Sequence, residues 1–315
     1  MEKYPHTAWQ FEKQFSTEAA CWDYLGQLRW PEGYDCPWCG KSEVWSASRG
    51  RLICRRCRDQ SSVTVGTIFQ DTHKPLRMWF RAVWQITSRR HGVNAVNLQQ
   101  VLGLGSYVTA WTWLHKLRRA MVRPGQDRLN GVVEVGKIDW GMLNTGAATR
   151  QIEPKALILV AAEEKGTGIR RIRLRQIPEL SEASLHGFIS DVIQPGSTVR
   201  IKGLRPYGEP PGYHQVQGVH YRMLGNEVLP PGVHRVVSSL KRWMVSSHLG
   251  AVHRAHLDYY LDEFTFRFNH RSSCSRGEMF YLLLQQAMHV DPVPYRQIVG
   301  GKAGPKTLEG AGSIG

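Results

Sequence analysis

The chain has 315 residues, 42% hydrophobic and 21% charged, and Lys and Arg outnumber Asp and Glu by 41 to 26. That length allows about two domains of roughly 100–200 residues, and the composition excludes a disordered, collagenous or disulfide-stapled chain. No apolar run approaches the roughly 20 residues of a membrane span, and the opening MEKYPHTAWQFEKQF lacks a signal peptide's apolar core. A cytoplasmic protein with no membrane partner is therefore expected, and its net charge of +15 favours a polyanionic partner.

The first legible element is a set of four cysteines, Cys36-Pro-Trp-Cys39-Gly and Cys54-Arg-Arg-Cys57. Two C-x-x-C pairs separated by a short strand-like insert (Val44, Trp45, Leu52, Ile53) have the spacing of a zinc ribbon. Each pair forms a knuckle that turns two thiolates toward one tetrahedral Zn²⁺. A redox C-x-x-C is the alternative; two matched pairs flanked by Gly40 and basic residues favour zinc, in a structural site with no open ligand position. Arg55, Arg56 and Arg58 of the second knuckle are candidates for contact with DNA phosphates. Cys21 and Cys274 lack such a context and are expected to be ordinary buried or half-buried thiols.

From Arg51 to Arg128 the chain carries fourteen Lys or Arg against three Asp, a local net of +11, with no carboxylate between Asp71 and Asp127. After Pro75, Leu76, Trp79, Phe80, Val83, Trp84 and Thr87 follow helical spacing up to a stop at Gly92; Arg89 and Arg90 close that segment. A short helix fits Ala95–Leu102, and Gly103-Leu-Gly-Ser106 makes a tight turn whose serine caps a third helix. That helix sets Val108, Trp111, Leu114, Leu117 and Met121 on one face, with Tyr107, Thr109, Thr112, His115, Lys116 and Arg119 on or beside the polar side. The pattern fits a plain three-helix bundle as well as a helix-turn-helix; the charge asymmetry favours the latter, with the third helix in a major groove of double-stranded DNA.

Beyond Val132 the pattern changes. Val132–Asp139, Lys155–Ala162 and Gly168–Ile177 read as three strands of a meander, Ser181–Ile193 as a helix ended by Pro195-Gly196, and Ser197–Lys202 as a fourth strand. That order is the one expected of an RNase H-like α/β sheet. Aromatic-rich helices follow at Val233–Val245, His256–His270 and Arg276–Met288, and the glycine-rich tail 299–315 reads as disordered. The domain boundaries expected are 1–65 for the segment with the ribbon, 66–130 for the helical DNA-binding region and 131–298 for the sheet domain.

The stretches CPWCG…CRRC, SSVTVGTIF, LGLGSYVTAWTWLHKLRRAM, VHRVVSSLKRW and HLDYYLDEFTFRFNHR resemble the zinc-ribbon DDE transposases of bacterial insertion sequences, the ISXO-type branch. The resemblance covers about Trp30 to Ile298 and implies an N-terminal zinc ribbon and helical DNA-binding region ahead of an RNase H-like transposase domain. The chemistry it implies is transfer of DNA phosphodiesters by two divalent metals about 3.5–4 Å apart, held by clustered carboxylates. Here the sequence departs from the family pattern. Where relatives have V-E-V-D-E-T-Y, this chain has Val133-Glu-Val-Gly136-Lys137-Ile138-Asp139. The Asp-Gly that precedes a tyrosine is Lys202-Gly203 ahead of Tyr207, and the acid or amide before Leu-Lys is Ser239 before Leu240-Lys241.

The resemblance thus implies a structural Zn²⁺ but no catalytic Mg²⁺, and a protein that is not an enzyme. The expected function is a catalytically inactive, nucleoid-associated DNA-binding protein acting as a regulator or as a targeting or scaffold subunit. Lys202, Lys241 and Arg242 join its DNA-contacting residues, and a homodimer or higher oligomer is implied. One alternative is an active enzyme using displaced carboxylates, among Glu134, Asp139, Glu209, Glu227, Asp262 and Glu263. Of these, Asp139 lies on the wrong side of a regular strand, whereas Glu134 shares the parity of Gly136. Another is a platform for a protein partner in a nucleoprotein complex.

Overall fold

A computed structural model describes residues 4–47, 50–89, 91–122, 128–140, 156–201, 212–216, 222–224, 227–248, 252–273 and 275–300. In chain order its elements are α1 (Ala8–Gln14), α2 (Glu18–Arg29), β1 (Val44–Ala47), β2 (Arg51–Cys54), β3 (Gln60–Ser62), α3 (Leu76–Ser88), α4 (Ala95–Leu102) and α5 (Tyr107–Arg119). There follow β4 (Val132–Trp140), β5 (Ala156–Lys165), β6 (Gly168–Ile177), α6 (Glu182–Val192), β7 (Thr198–Ile201), β8 (His214–Val216), β9 (Arg222–Leu224) and β10 (Glu227–Leu229). The chain continues through α7 (Pro231–His248), α8 (Leu257–Asn269), α9 (Arg276–Ala287) and α10 (Tyr295–Val299). Among the described residues, no helix is long and apolar enough to cross a membrane.

These elements form two compact units, one comprising residues 1–121 with 272–298 and the other centred on 122–271. In the first, β1, β2 and β3 make a small antiparallel sheet. Two short helices precede it, for which the sequence shows little periodicity. Thr7 caps α1 in a capping box with Gln10, and Thr17 caps α2. Pro75 cannot cap α3 with a side chain, and Glu18 does so from far away in sequence. Its carboxylate accepts from the backbone N–H groups of Leu76 at 2.6 Å and Arg77 at 3.1 Å. The core is aromatic: Phe11, Phe15, Phe80 and Trp84 surround Phe280 of α9 with ring centroids 5.5–5.8 Å away. For that reason α9, placed by chain order in the expected sheet domain, packs with the N-terminal helices. Its first turn also lies so close to the Pro5 carbonyl that only a glycine, Gly277, fits there.

In the second unit the five-stranded sheet has the order β6-β5-β4-β7-β8. The meander β4–β5–β6 is antiparallel, and β7 and β8 run parallel to β4. The expected meander, helix and fourth strand are all present, with Ser181 capping α6 as its position implied. One sheet face, through Val133, Val135, Leu159 and Ala161, buries against Leu185, Phe188 and Ile189 of α6. The other, through Ile138, Ile158, Val160 and Ala162, buries against Val233, Val236, Val237 and Leu240 of α7 and Leu257, Leu261 and Phe264 of α8. Strand β6 is an edge, a row of unpaired amides and carbonyls that invites foreign pairing. The residues of α8 and its end cover it: Asp258 accepts from Gln176 N–H, Asn269 bonds both backbone groups of Ile172, and Arg271 donates to the carbonyls of Ile169 and Arg170. The LDYYLDEFTFRFN helix is therefore a structural brace of the sheet.

Candidate metal centre and nucleic-acid interface

The ribbon brings Cys36, Cys39, Cys54 and Cys57 together with all four Sγ atoms within 4.8 Å of one another. Cys36 lies 3.5 Å from Cys57 and Cys39 lies 3.5 Å from Cys54, sulfur to sulfur. A tetrahedron with Zn–S bonds of about 2.3 Å has edges of about 3.8 Å, so the four thiolates fit one Zn²⁺ with no ligand position left open. Without the metal the thiols share their charge unequally. The backbone N–H groups of Cys57 and Arg56 pull the Cys54 thiol down to about 6, whereas the Cys39 and Cys57 thiols, despite backbone donors of their own at Lys41 and Asp59, are raised by desolvation, Cys57 to about 12. Both knuckles close alike: Gly40 N–H donates to the Cys36 carbonyl and Arg58 N–H to the Cys54 carbonyl. Gly40 has φ 66° and Arg58 φ 65°, so an arginine holds the left-handed position for which the first knuckle uses glycine. The zinc is structural. It locks two loops that have little hydrophobic core of their own, and the small cluster around Tyr34, Cys36 and Cys54 is what it supports. Cys21 is fully buried, and burial raises its thiol to about 12, in keeping with an inert core cysteine; Cys274 lies outside the described residues.

The other residues expected at a DNA surface divide by burial. Arg55, Arg56, Arg58, Arg89, Tyr107 and Arg242 are exposed, and Thr109, Thr112, Lys116 and Lys241 are half-buried. Arg90 and Lys202 lie outside the described residues. His115 and Arg119 are buried, which corrects their placement on the polar side of α5. The helix is rotated from the expected setting because Trp113, not Trp111, stacks on Trp79 of α3, with ring centroids 3.9 Å apart. The buried row becomes Ala110, Trp113, Leu114 and Leu117, and Val108 is left exposed. The Thr112 hydroxyl is committed to the Val108 carbonyl at 2.7 Å, and burial lowers the Lys116 ammonium pKa. The turn itself is as expected: α4 ends at Gly103 in the left-handed conformation, and Ser106 caps α5.

The middle of β4 holds the second group of interest. Gly136 is buried on the sheet face covered by α7, where a Cβ would lie 2.9 Å from Val233 Cγ1 and 3.6 Å from Leu229 Cδ2. Two residues earlier on the same face, Glu134 is only 5% exposed. One of its oxygens accepts from the N–H groups of Gly232 at 2.5 Å and Val233 at 3.0 Å, the first turn of α7. Desolvation raises its pKa, the two amides oppose that, and the neighbouring Glu164 adds to it. Glu164 is in turn bound by Arg200 of β7 at 2.5 Å. Lys137 and Asp139 lie on the opposite face, paired at 3.5 Å, and the β4–β5 register runs without a bulge from Val133 to Trp140. Ser239 is half-buried on α7, six positions beyond Val233, off the row Val233, Val236, Val237 and Leu240 that meets the sheet. Six helical residues span about 9 Å, so α7 does not bring Ser239 to Gly136. Glu263 is fully buried and paired with Arg267 at 2.8 Å. Asp262 is 8% exposed. Glu209 and the side chain of Glu227 lie outside the described residues.

Residues 129–269 match the ISXO2-like transposase domain, and residues 16–60 match a transposase zinc-ribbon domain. In both regions the chain is thus similar to transposases of insertion sequences. A relative from Halobacterium salinarum, an uncharacterized protein in transposable element ISH50, is 26% identical over 216 residues, covering 62% of this chain and 70% of the relative. No solved structure matches the chain. Gly136 stands where the sequence resemblance leads one to expect the first acid, and a Cβ there would press on the Val233 side chain of α7. What sequence reasoning missed is the task of Glu134. Its strand parity identified the face, but only the contact with a helix nearly a hundred residues away shows a carboxylate acting as the cap of α7.

Proposed function

We propose that this transposase-family protein binds double-stranded DNA and does not cut it, acting as a regulator or as a targeting or scaffold subunit. The carrying observation is the closure at Gly136, where Val233 stands against the position from which the first carboxylate would project. Two divalent cations need several clustered anionic oxygens, and a neutral, filled position offers none. The sheet order β6-β5-β4-β7-β8, with β7 and β8 parallel to β4, supports an RNase H-like arrangement for this unit. The remaining acids support the same reading. Asp139 sits on the opposite face with Lys137, and the Glu134 oxygen nearest α7 is occupied by two backbone donors. Lys202 would add positive charge where relatives carry an acid, which favours a phosphate backbone over a dication.

DNA recognition is assigned to the zinc ribbon and the α3–α5 region, which we read as helix-turn-helix-like, with the protein acting as a homodimer or larger oligomer. In α5 the first turn, with Tyr107 49% exposed, is the most accessible part for groove contact. The test is a selection with purified, zinc-loaded protein on sheared genomic DNA at physiological salt, with the bound fragments sequenced. Enrichment of one repeated motif is expected. Uniform, salt-sensitive capture would reduce the role to phosphate binding, and no capture would overturn it.

A further inference from the structure

We propose that the zinc end of the ribbon grips an unpaired nucleotide of DNA, Trp38 stacking on the base while Arg55, Arg56 and Arg58 hold the adjacent phosphates. This rests on the DNA-binding reading above and adds which part of the DNA the ribbon takes. Trp38 is 69% exposed, an unusual state for the largest apolar side chain, and among the described residues no ring or cation lies against it. It sits inside the first knuckle, next to Cys39. The sulfur pairs Cys39–Cys54 and Cys36–Cys57, each 3.5 Å apart, set the second knuckle and its three arginines at the same end of the ribbon. Arg55 and Arg58 are arranged in advance, their guanidinium carbons 5.8 and 4.5 Å from the centroid of the Trp45 ring. None of the three arginines forms an ion pair with a carboxylate among the described residues. Arg58 also holds a left-handed backbone position that glycine would take more easily.

The zinc itself cannot attract the phosphates, since four thiolates on Zn²⁺ carry a net charge of −2; the arginines must. An aromatic ring with an open face beside a cationic clamp is the arrangement that holds single strands, because every base offers a π-face and every nucleotide a phosphate. In an intact duplex the bases are already stacked on one another. The arginines would still find phosphates there, but away from the duplex ends Trp38 would have no free base face to stack on.

The experiment is fluorescence anisotropy with the full zinc-loaded chain on three probes: a blunt duplex, the same duplex with a three-nucleotide single-stranded overhang, and the single strand. The overhang duplex is expected to bind about tenfold tighter than the blunt one, within the range for stacking of one base. Trp38→Ala should abolish that preference by weakening the overhang duplex and the single strand more than the blunt duplex, and Trp38→Phe should retain most of it. Arg56→Ala should weaken all three probes and lower the salt slope by about one. Zinc content of each variant verifies the ribbon. Equal binding of blunt and overhang duplexes by the parent protein, or equal weakening of both by Trp38→Ala, overturns this inference and leaves the DNA-binding reading standing. Binding to none of the probes overturns both.

Discussion

The zinc ribbon and the middle of strand β4, the two places where the resemblance to transposases leads one to expect metal, are built in opposite ways. In the ribbon all four thiols stand within 4.8 Å, with backbone amides placed to favour the thiolate at Cys54. In β4 the face that would carry the first acid is packed by Val233 and Leu229 against Gly136. The difference follows from what each metal does for the fold. A structural zinc is part of the ribbon's stability, because two knuckles and three short strands bury too little apolar surface to hold without it. A cluster of catalytic acids repels itself and is a cost to the sheet, so replacing an acid by glycine lets a helix close over the gap. On the proposed reading, the fold outlasts its chemistry in one unit while a metal site persists in the other.

The sharpest way to break this comparison is to remove the ribbon's metal. One zinc per chain is expected, and Cys54→Ser or a strong chelator should unfold the ribbon, since structural zinc contributes about 10–16 kcal/mol in isolated fingers. Loss of near-UV ellipticity and of DNA binding would report it; an unchanged spectrum with zinc gone would contradict it. Next is Gly136→Ala, which drives a methyl into Val233 and is expected to destabilise the sheet unit by roughly 1–3 kcal/mol in urea unfolding. Val233→Ala in the same chain should recover part of that loss, whereas independent, additive effects would show that the two residues do not meet.

Glu134 offers a smaller and pH-dependent effect. Its folded pKa is raised, chiefly by desolvation, so the folded protein binds the proton more tightly than the unfolded chain. Its contribution is fully present below the ordinary carboxylate pKa and is lost as pH rises from there through the raised value. Glu134→Gln keeps an oxygen for the amides of Gly232 and Val233 without the charge. It should therefore gain on the parent protein as pH climbs toward neutrality; a constant difference across that window would sink the assignment. Glu134→Ala, by contrast, removes the acceptor and should cost about 1–2 kcal/mol at acidic pH, a cost that shrinks as pH rises through the raised value. The least effect expected is that of Lys202→Asp, a modest weakening of duplex binding in metal-free buffer; tighter or unchanged binding would count against a phosphate role for Lys202.

Much of the fold was legible wherever the determinants are local. The two C-x-x-C pairs located the metal, three apolar-rich stretches with turns between them located β4 to β6, and Ala95–Leu102 and the Ser106 cap agree to the residue. What could not be read depends on contacts between distant segments. Helix α9 follows the sheet in the chain but packs through Phe280 on Phe11, Phe15, Phe80 and Trp84. The rotation of α5 depends on which tryptophan stacks on Trp79, and that error placed the buried His115 and Arg119 at the surface. Glu18 and Glu134 each cap a helix far away in sequence, a role with no local signature. At Gly136 the sequence shows only that there is no carboxylate; it takes the tertiary contact to show that Val233 stands where a Cβ would project.

The central claim, binding without strand chemistry, is tested most directly on supercoiled plasmid with Mg²⁺ or Mn²⁺, at protein concentrations that fully shift a duplex probe. The account predicts that the plasmid stays supercoiled while bound. Metal-dependent nicking by the parent protein that disappears in Glu134→Ala or Asp139→Ala would contradict it and restore an active site built from displaced carboxylates.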